Sequence, residues 1–157
     1  MIFPTQVDLV VKSPKQKYKF CLMIHQAETK EDLMLAPDFY GTSIRSSVFF
    51  PRWEIEILEP KVPRGETGKL NYHYSDKDNK PYVCFPGALP TIEALMSMLN
   101  LWVIGQVCVM ELDRYFNEMI ETVGGKEAFI FWAKTQQGID LDSNAPIRIK
   151  MGTEKEV

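Results

Sequence analysis

Ala94-Leu-Met-Ser-Met-Leu-Asn-Leu-Trp-Val-Ile-Gly-Gln-Val-Cys-Val-Met110 carries no formal charge, with Glu93 before it and Glu111 after it. Thr91 and Glu93 make a helix start, because a threonine side chain caps the first free N–H groups and an acidic residue in the first turn suits the helix dipole. The run is apolar on nearly every side, and such a helix must be wrapped by something: a sheet, a second copy of the chain, or lipid. Past Met110 the pattern turns amphipathic. Leu112, Tyr115, Phe116, Met119, Ile120 and Val123 recur at helical spacing against Glu111, Asp113, Arg114, Glu118 and Glu121, and Gly124-Gly125 stops the series.

Taken whole, residues 91–123 form one helix of about 30 residues, or ~45 Å at ~1.5 Å each, with a break expected near Gly105. As a membrane span the uncharged run reaches only the lower limit of the roughly 17–25 residues a bilayer needs. It also holds Ser97, Asn100 and Gln106 and has no flanking Lys/Arg cluster. The reading adopted is a buried or interfacial helix and no membrane span.

Upstream the period changes from helical to alternating. Thr5 to Lys12 and Lys17 to Gln26 flank Ser-Pro-Lys-Gln as a hairpin, with Tyr18, Phe20, Leu22 and Ile24 on one face and Lys19, Cys21, Met23 and His25 on the wetter one. Ala27 to Pro37 reads as a short helix or a loop, and Thr42 to Phe50 as a strand. Trp53, Ile55 and Ile57 alternate with Glu54 and Glu56. Lys61 to Gly68 is a loop; Leu70, Tyr72 and Tyr74 alternate with Asn71 and His73, and Asp76 to Asn79 turns the chain back through Tyr82 to Phe85. After the long helix come a second one from Lys126 to Gln137, stopped by Gly138, and a last strand at Ile147, Ile149 and Met151. The expectation is one α+β domain over residues 1–151, an antiparallel sheet of five to six strands packed against a long central helix plus a short C-terminal helix. Residues 152–157 are expected to be a disordered tail.

Length and charge bound the function. The 157 residues suit a single domain with a real core, and a net charge of −3 speaks against nucleic acid, which attracts a basic field. Cys21, Cys84 and Cys108 share no short spacing, so they read as buried thiols in a reducing, cytoplasmic setting. No secretory leader is recognised at the N-terminus.

Several stretches imitate chemistry and fail on their own spacing. Gly65-Glu-Thr-Gly68-Lys69 resembles a phosphate loop, but Pro63 and Leu70 stand where glycine and a hydroxyl residue are required. Asp140-Leu-Asp142-Ser-Asn144 opens like a calcium loop, yet Ala145 and Met151 occupy the glycine and glutamate positions. Two histidines, His25 and His73, stand apart from every cysteine, so no zinc set and no other metal or cofactor is expected. Ser43, Ser46 and Ser47 near Arg45, and Ser75 near His73, sit in no nucleophile elbow.

What remains is a polar ledge and a helix back. Glu54 and Glu56 lie on one strand face about 7 Å apart; if neighbouring strands bring Asn71, His73, Arg148 or Lys150 alongside, that ledge is the first place for a ligand or partner. Along the helix Met96, Met98, Met110 and Met119 with Trp102 read as core or as an adaptable surface. Met98, Leu101, Trp102 and Gly105 are the candidate self-association residues, covered either by the second helix through Phe129 and Trp132 or by another copy. The reading is a non-enzymatic protein-binding module (inhibitor, immunity or assembly factor) self-associating through residues 91–123. The alternatives are a small-molecule binder using the sheet face with Trp53, Tyr72 and Tyr74, and a hydrolase using His73 with Glu54 or Glu56.

Overall fold

Alternation of apolar and polar residues builds the first half of the molecule as read. In the computed structural model, which describes residues 3–26, 53–62, 67–84 and 91–152, β1 (Thr5–Lys12) and β2 (Lys17–Gln26) pair antiparallel from Thr5 opposite Ile24 to Lys12 opposite Lys17. Ser13 closes the hairpin: its N–H donates to the Gln16 carbonyl, and its Oγ accepts from the Lys15 and Gln16 amides. β3 (Trp53–Glu59) joins β2, with a register shift between Cys21 and Leu22. The stretches expected at residues 27–37 and 42–50, and the serines near Arg45, lie outside the described residues.

One strand was read too long. Leu70 closes a single helical turn, α1 (Thr67–Leu70), and β4 begins at Tyr72 (Tyr72–Tyr74), pairing with β5 (Pro81–Val83). The reason lies in the long helix, α2 (Ile92–Leu112), whose buried donors claim two carbonyls of that turn. Gln106 Nε2 donates to Leu70 O at 2.7 Å and Trp102 Nε1 to Asn71 O at 3.2 Å. Asn71 takes a left-handed backbone (φ 63) between them, so the chain turns where a continuous strand was expected.

Helix α2 starts as read, with Thr91 Oγ1 accepting from Ala94 N at 3.0 Å, but it runs straight through Gly105. It ends at Asp113, a left-handed residue (φ 56) whose N–H donates to Val109 O. Beyond it, α3 (Phe116–Val123) and α4 (Lys126–Gln137) follow, ended by Gly124 and Gly138 in left-handed conformations. Gly105 is a seat, not a hinge: a Cβ there would meet the Phe116 ring at 2.1 Å. The missing side chain lets α3 fold back onto α2, and Phe116, Met119 and Phe129 enter the common core with Val103, Ile104 and Val107. α2 is long and apolar enough to cross a membrane, and 61% of its apolar window is buried within the chain.

The chain then returns to the sheet twice. β6 (Asp140–Leu141), not anticipated, pairs with one end of β1, and β7 (Arg148–Met151) pairs with the other. Among the described residues the sheet thus has seven strands in the order β4-β5-β3-β2-β1-β6, with β7 also on β1, and the fold is α+β. Val7, Leu9, Phe20, Leu22, Ile24, Trp53, Ile55 and Ile57 make the core face against α2. Gly152 lies against Pro4, and residues 153–157 lie outside the described residues.

Candidate functional site

Because paired residues share a face, the register places one polar row across the open side of the sheet. It runs His73 (β4), Tyr82 (β5), Glu56 (β3), Met23 (β2), Gln6 (β1) and Lys150 (β7), with Glu54 opposite His25 beside it. The ledge expected around Glu54 and Glu56 therefore exists, but its members are engaged differently from the reading. Glu54 is exposed, while Glu56 is only 9% exposed and both of its oxygens are occupied. His25 Nε2 lies 3.1 Å from Oε1 and Lys80 Nζ 3.8 Å from Oε2.

His73 is the misplaced member of the hydrolase reading. Its Nδ1 sits 3.2 Å from Cys84 Sγ and its ring stacks on Tyr82 at 6.2 Å, so Tyr82 stands between it and Glu56. The imidazole that reaches a carboxylate is His25. Glu54 and His73 do share a cleft of about 420 Å3 with Ser75, Asp76, Asp78 and Tyr82. Asn71 is not in it. Its Nδ2 donates to Cys84 O, and its Oδ1 accepts from Asn117. Arg148 and Lys150 reach the polar face only at the far edge, beside Asp8 and Gln6. Of the aromatics expected to receive a ligand on the sheet face, Trp53 and Tyr74 also line this cleft, Trp53 from a buried position and Tyr74 with its hydroxyl on Val62 O at 2.5 Å, whereas Tyr72 is buried in the core.

The three thiols are also nucleophile candidates, and their surroundings oppose ionisation. Burial, then the Asp8 carboxylate, pushes Cys21 up to about 12, and burial with Glu111 does the same to Cys108. Burial also raises Cys84. A nucleophilic cysteine needs the opposite shift. Asp8 itself stays below the usual carboxylate range: burial works against it, but the Cys21 and Gln6 donors and the charges of Arg148 and Lys19 prevail.

The other imitations resolve into structural roles. Lys69 of the phosphate-loop likeness belongs to α1 and ion-pairs with Asp113, while Gly65 and Glu66 lie outside the described residues. Asp142 accepts from the Asn144 amide, and Lys17 Nζ stands 3.0 Å from its Oδ2, close enough for an ion pair though off the line of a good hydrogen bond. Among the described residues no three His, Cys, Asp or Glu side chains are placed to hold a metal.

Of the self-association candidates, Leu101, Trp102 and Gly105 are buried within the chain and Met98 is half-buried. The back of α2 is covered by α3 and α4. Among the described residues an exposed apolar row lies elsewhere, along β7 and the residue before it: Ile147, Ile149 and Met151 are 39%, 47% and 46% exposed. Ile149 and Met151 stand on the core face opposite Val7 and Thr5, while Arg148 and Lys150 stand on the polar face. Among the described residues, no strand pairs with the outer edge of β7.

No protein-family model, curated protein or solved structure matches this chain.

Proposed function

We propose that this chain is a non-enzymatic protein-binding module, of the inhibitor, immunity or assembly-factor kind, that captures an extended segment of a partner along the free edge of β7. The observation that carries the reading is the exposed alternation Ile147-Arg148-Ile149-Lys150-Met151 on an edge strand. An edge offers unpaired backbone groups as a template for another strand, and alternating side chains give that strand its specificity. Lysines also guard edges against unwanted pairing. A guarded edge, however, turns its charges toward the apolar layer, whereas here the isoleucines and Met151 hold that side and the cations stand on the polar one.

Charge selects the occupant. Two copies of β7 paired antiparallel with their apolar faces matched set Arg148 against Lys150 or one of these cations against its own copy, and like charges directly opposite destabilise a ladder. A strand alternating acidic with apolar residues meets both faces favourably. The raised thiols and the occupied Glu56 support a binding role over catalysis.

The test is a synthetic peptide alternating valine and glutamate, titrated into isotope-labelled protein and followed by amide chemical shifts. Shifts concentrated at residues 5–8 and 147–151, an affinity that falls with salt, and loss of both in Ile149→Lys are expected. A lysine-for-glutamate peptide that binds equally well, or shifts confined to other elements, would sink the reading. So would a concentration-dependent dimer, seen by light scattering and abolished by Ile149→Lys, because the occupant would then be a second copy.

A further inference from the structure

Between the sheet and α2, this helix and the chain leaving β3 enclose a pocket of about 330 Å3 lined by Phe20, Pro60, Lys61, Leu70, Trp102 and Met110, among others. We infer that this pocket binds a small amphipathic carboxylate, its apolar body against Trp102 and its acid group at Lys61. The inference is independent of the role given to β7.

Three features of the walls support it. First, they are pinned to one another and to the neighbouring Tyr74 and Asn71, so the cavity is held open. Tyr74 holds Val62 O, Gln106 holds Leu70 O, Trp102 holds Asn71 O, and the Phe20 and Trp102 rings meet edge-on at 6.2 Å. Second, the volume falls within the roughly 300–1,000 Å3 of small-molecule sites, which are apolar with a few convergent polar groups. Here the floor is Phe20, Leu70, Trp102 and Val109, with Gln106 as the one buried amide. Third, the rim has a definite sign. Two lysines, Lys61 and Lys69, and one carboxylate, Asp113, border it; Asp113 already pairs with Lys69, and Lys61 has no ion-pair partner among the described residues. An incoming carboxylate supplies what that rim lacks, and exposed Met110 at the mouth offers a flexible apolar lip.

Calorimetric titration of the full chain with decanoate and with 2-naphthoate tests this and separates a chain-like from a flat ligand. At least one is expected to bind at 1:1. Its uncharged counterpart, decanol or 2-naphthol, should bind at least about tenfold more weakly. Lys61→Glu should weaken the acid about fivefold or more, consistent with a partly exposed ion pair, and leave the alcohol unchanged. Met110→Trp, a surface change that narrows the mouth without touching the core, should reduce binding of both. Failure of both acids to bind overturns the inference. So does equal affinity for acid and alcohol, or indifference to both substitutions in variants whose unfolding midpoints match the wild type.

Discussion

Gly105 shows how a single absent side chain directs the packing of two helices. Replacing glycine by alanine inside a helix ordinarily gains about 1 kcal/mol from backbone entropy. Here the new Cβ would stand 2.1 Å from Phe116 Cε2, and the ring is held in the core by its neighbours. Overpacking of this kind costs about 1–3 kcal/mol, so the loss wins. Gly105→Ala is expected to destabilise the protein by up to about 2 kcal/mol net, read from urea unfolding at constant slope; a gain in stability would mean that α3 does not depend on this seat. Glu111 makes the reverse case of an unfavourable charge that is rescued. An acidic residue in the last turn opposes the helix dipole, yet its Oε2 accepts from Ser13 Oγ and Tyr18 OH, both at 2.6 Å. Hydrogen bonds to an ionised group are worth more than the dipole penalty. Glu111→Ala is therefore expected to cost about 1–2 kcal/mol and to loosen the β1–β2 hairpin from α2, visible as faster amide exchange near Ser13.

The break between α2 and α3 belongs to the element scale. A single helix over 91–123 preserves the apolar spacing of Leu112, Phe116 and Met119, so periodicity could not reveal the interruption. Geometry requires it, because a rod of ~45 Å cannot bring Phe116 back to Gly105. The turn is made at Asp113 in a left-handed conformation, which aspartate tolerates better than most residues and β-branched residues tolerate least. Asp113 is highly exposed, so solvent screens its ion pair with Lys69 and the pair adds little to stability. Relief of left-handed strain by glycine is of similar size. Asp113→Gly should thus fall within about 0.5 kcal/mol of the wild type, while Asp113→Val should lose about 1–2 kcal/mol. Equal stability of the two variants would show that the turn is set by packing of α3 rather than by the backbone of residue 113.

At the scale of the whole molecule, the sequence was most legible where one periodicity ruled. The bounds of β1, β2, β3 and α4, the threonine cap and the glycine stops follow from alternation, helical spacing and turn chemistry. Less legible was whatever depends on which elements meet. The two-residue β6 carries no pattern of its own, Leu70 alternates like a strand yet is drawn into α1 by Gln106 and Trp102, and the polar ledge could be guessed while its register could not. That register sets His25 diagonally from Glu56, 3.1 Å from its carboxylate, and puts Tyr82 between Glu56 and His73. One property of the assembled molecule can still be derived from these contacts, its stability profile with pH. Asp78 is held below the usual carboxylate range by the Tyr82 hydroxyl, Asp113 by Lys69 and Asp142 by Lys17. A carboxylate with a lowered folded pKa adds stability above its unfolded value near 3.8, and loses it as pH falls through the folded value. Burial acts oppositely on the weak acids, raising Tyr18, Tyr82, Cys21 and Cys108. Their neutral forms add stability that is complete below unfolded values of 9 to 10 and disappears as pH climbs through the raised ones, about 12 for the two thiols. The urea midpoint should accordingly be flat from about pH 5 to 8 and fall on both sides. Lys17→Met should shrink the acid limb alone and Cys21→Ser the alkaline limb alone, whereas a variant that shifts both limbs together would place the pH dependence in net charge rather than in these pairs.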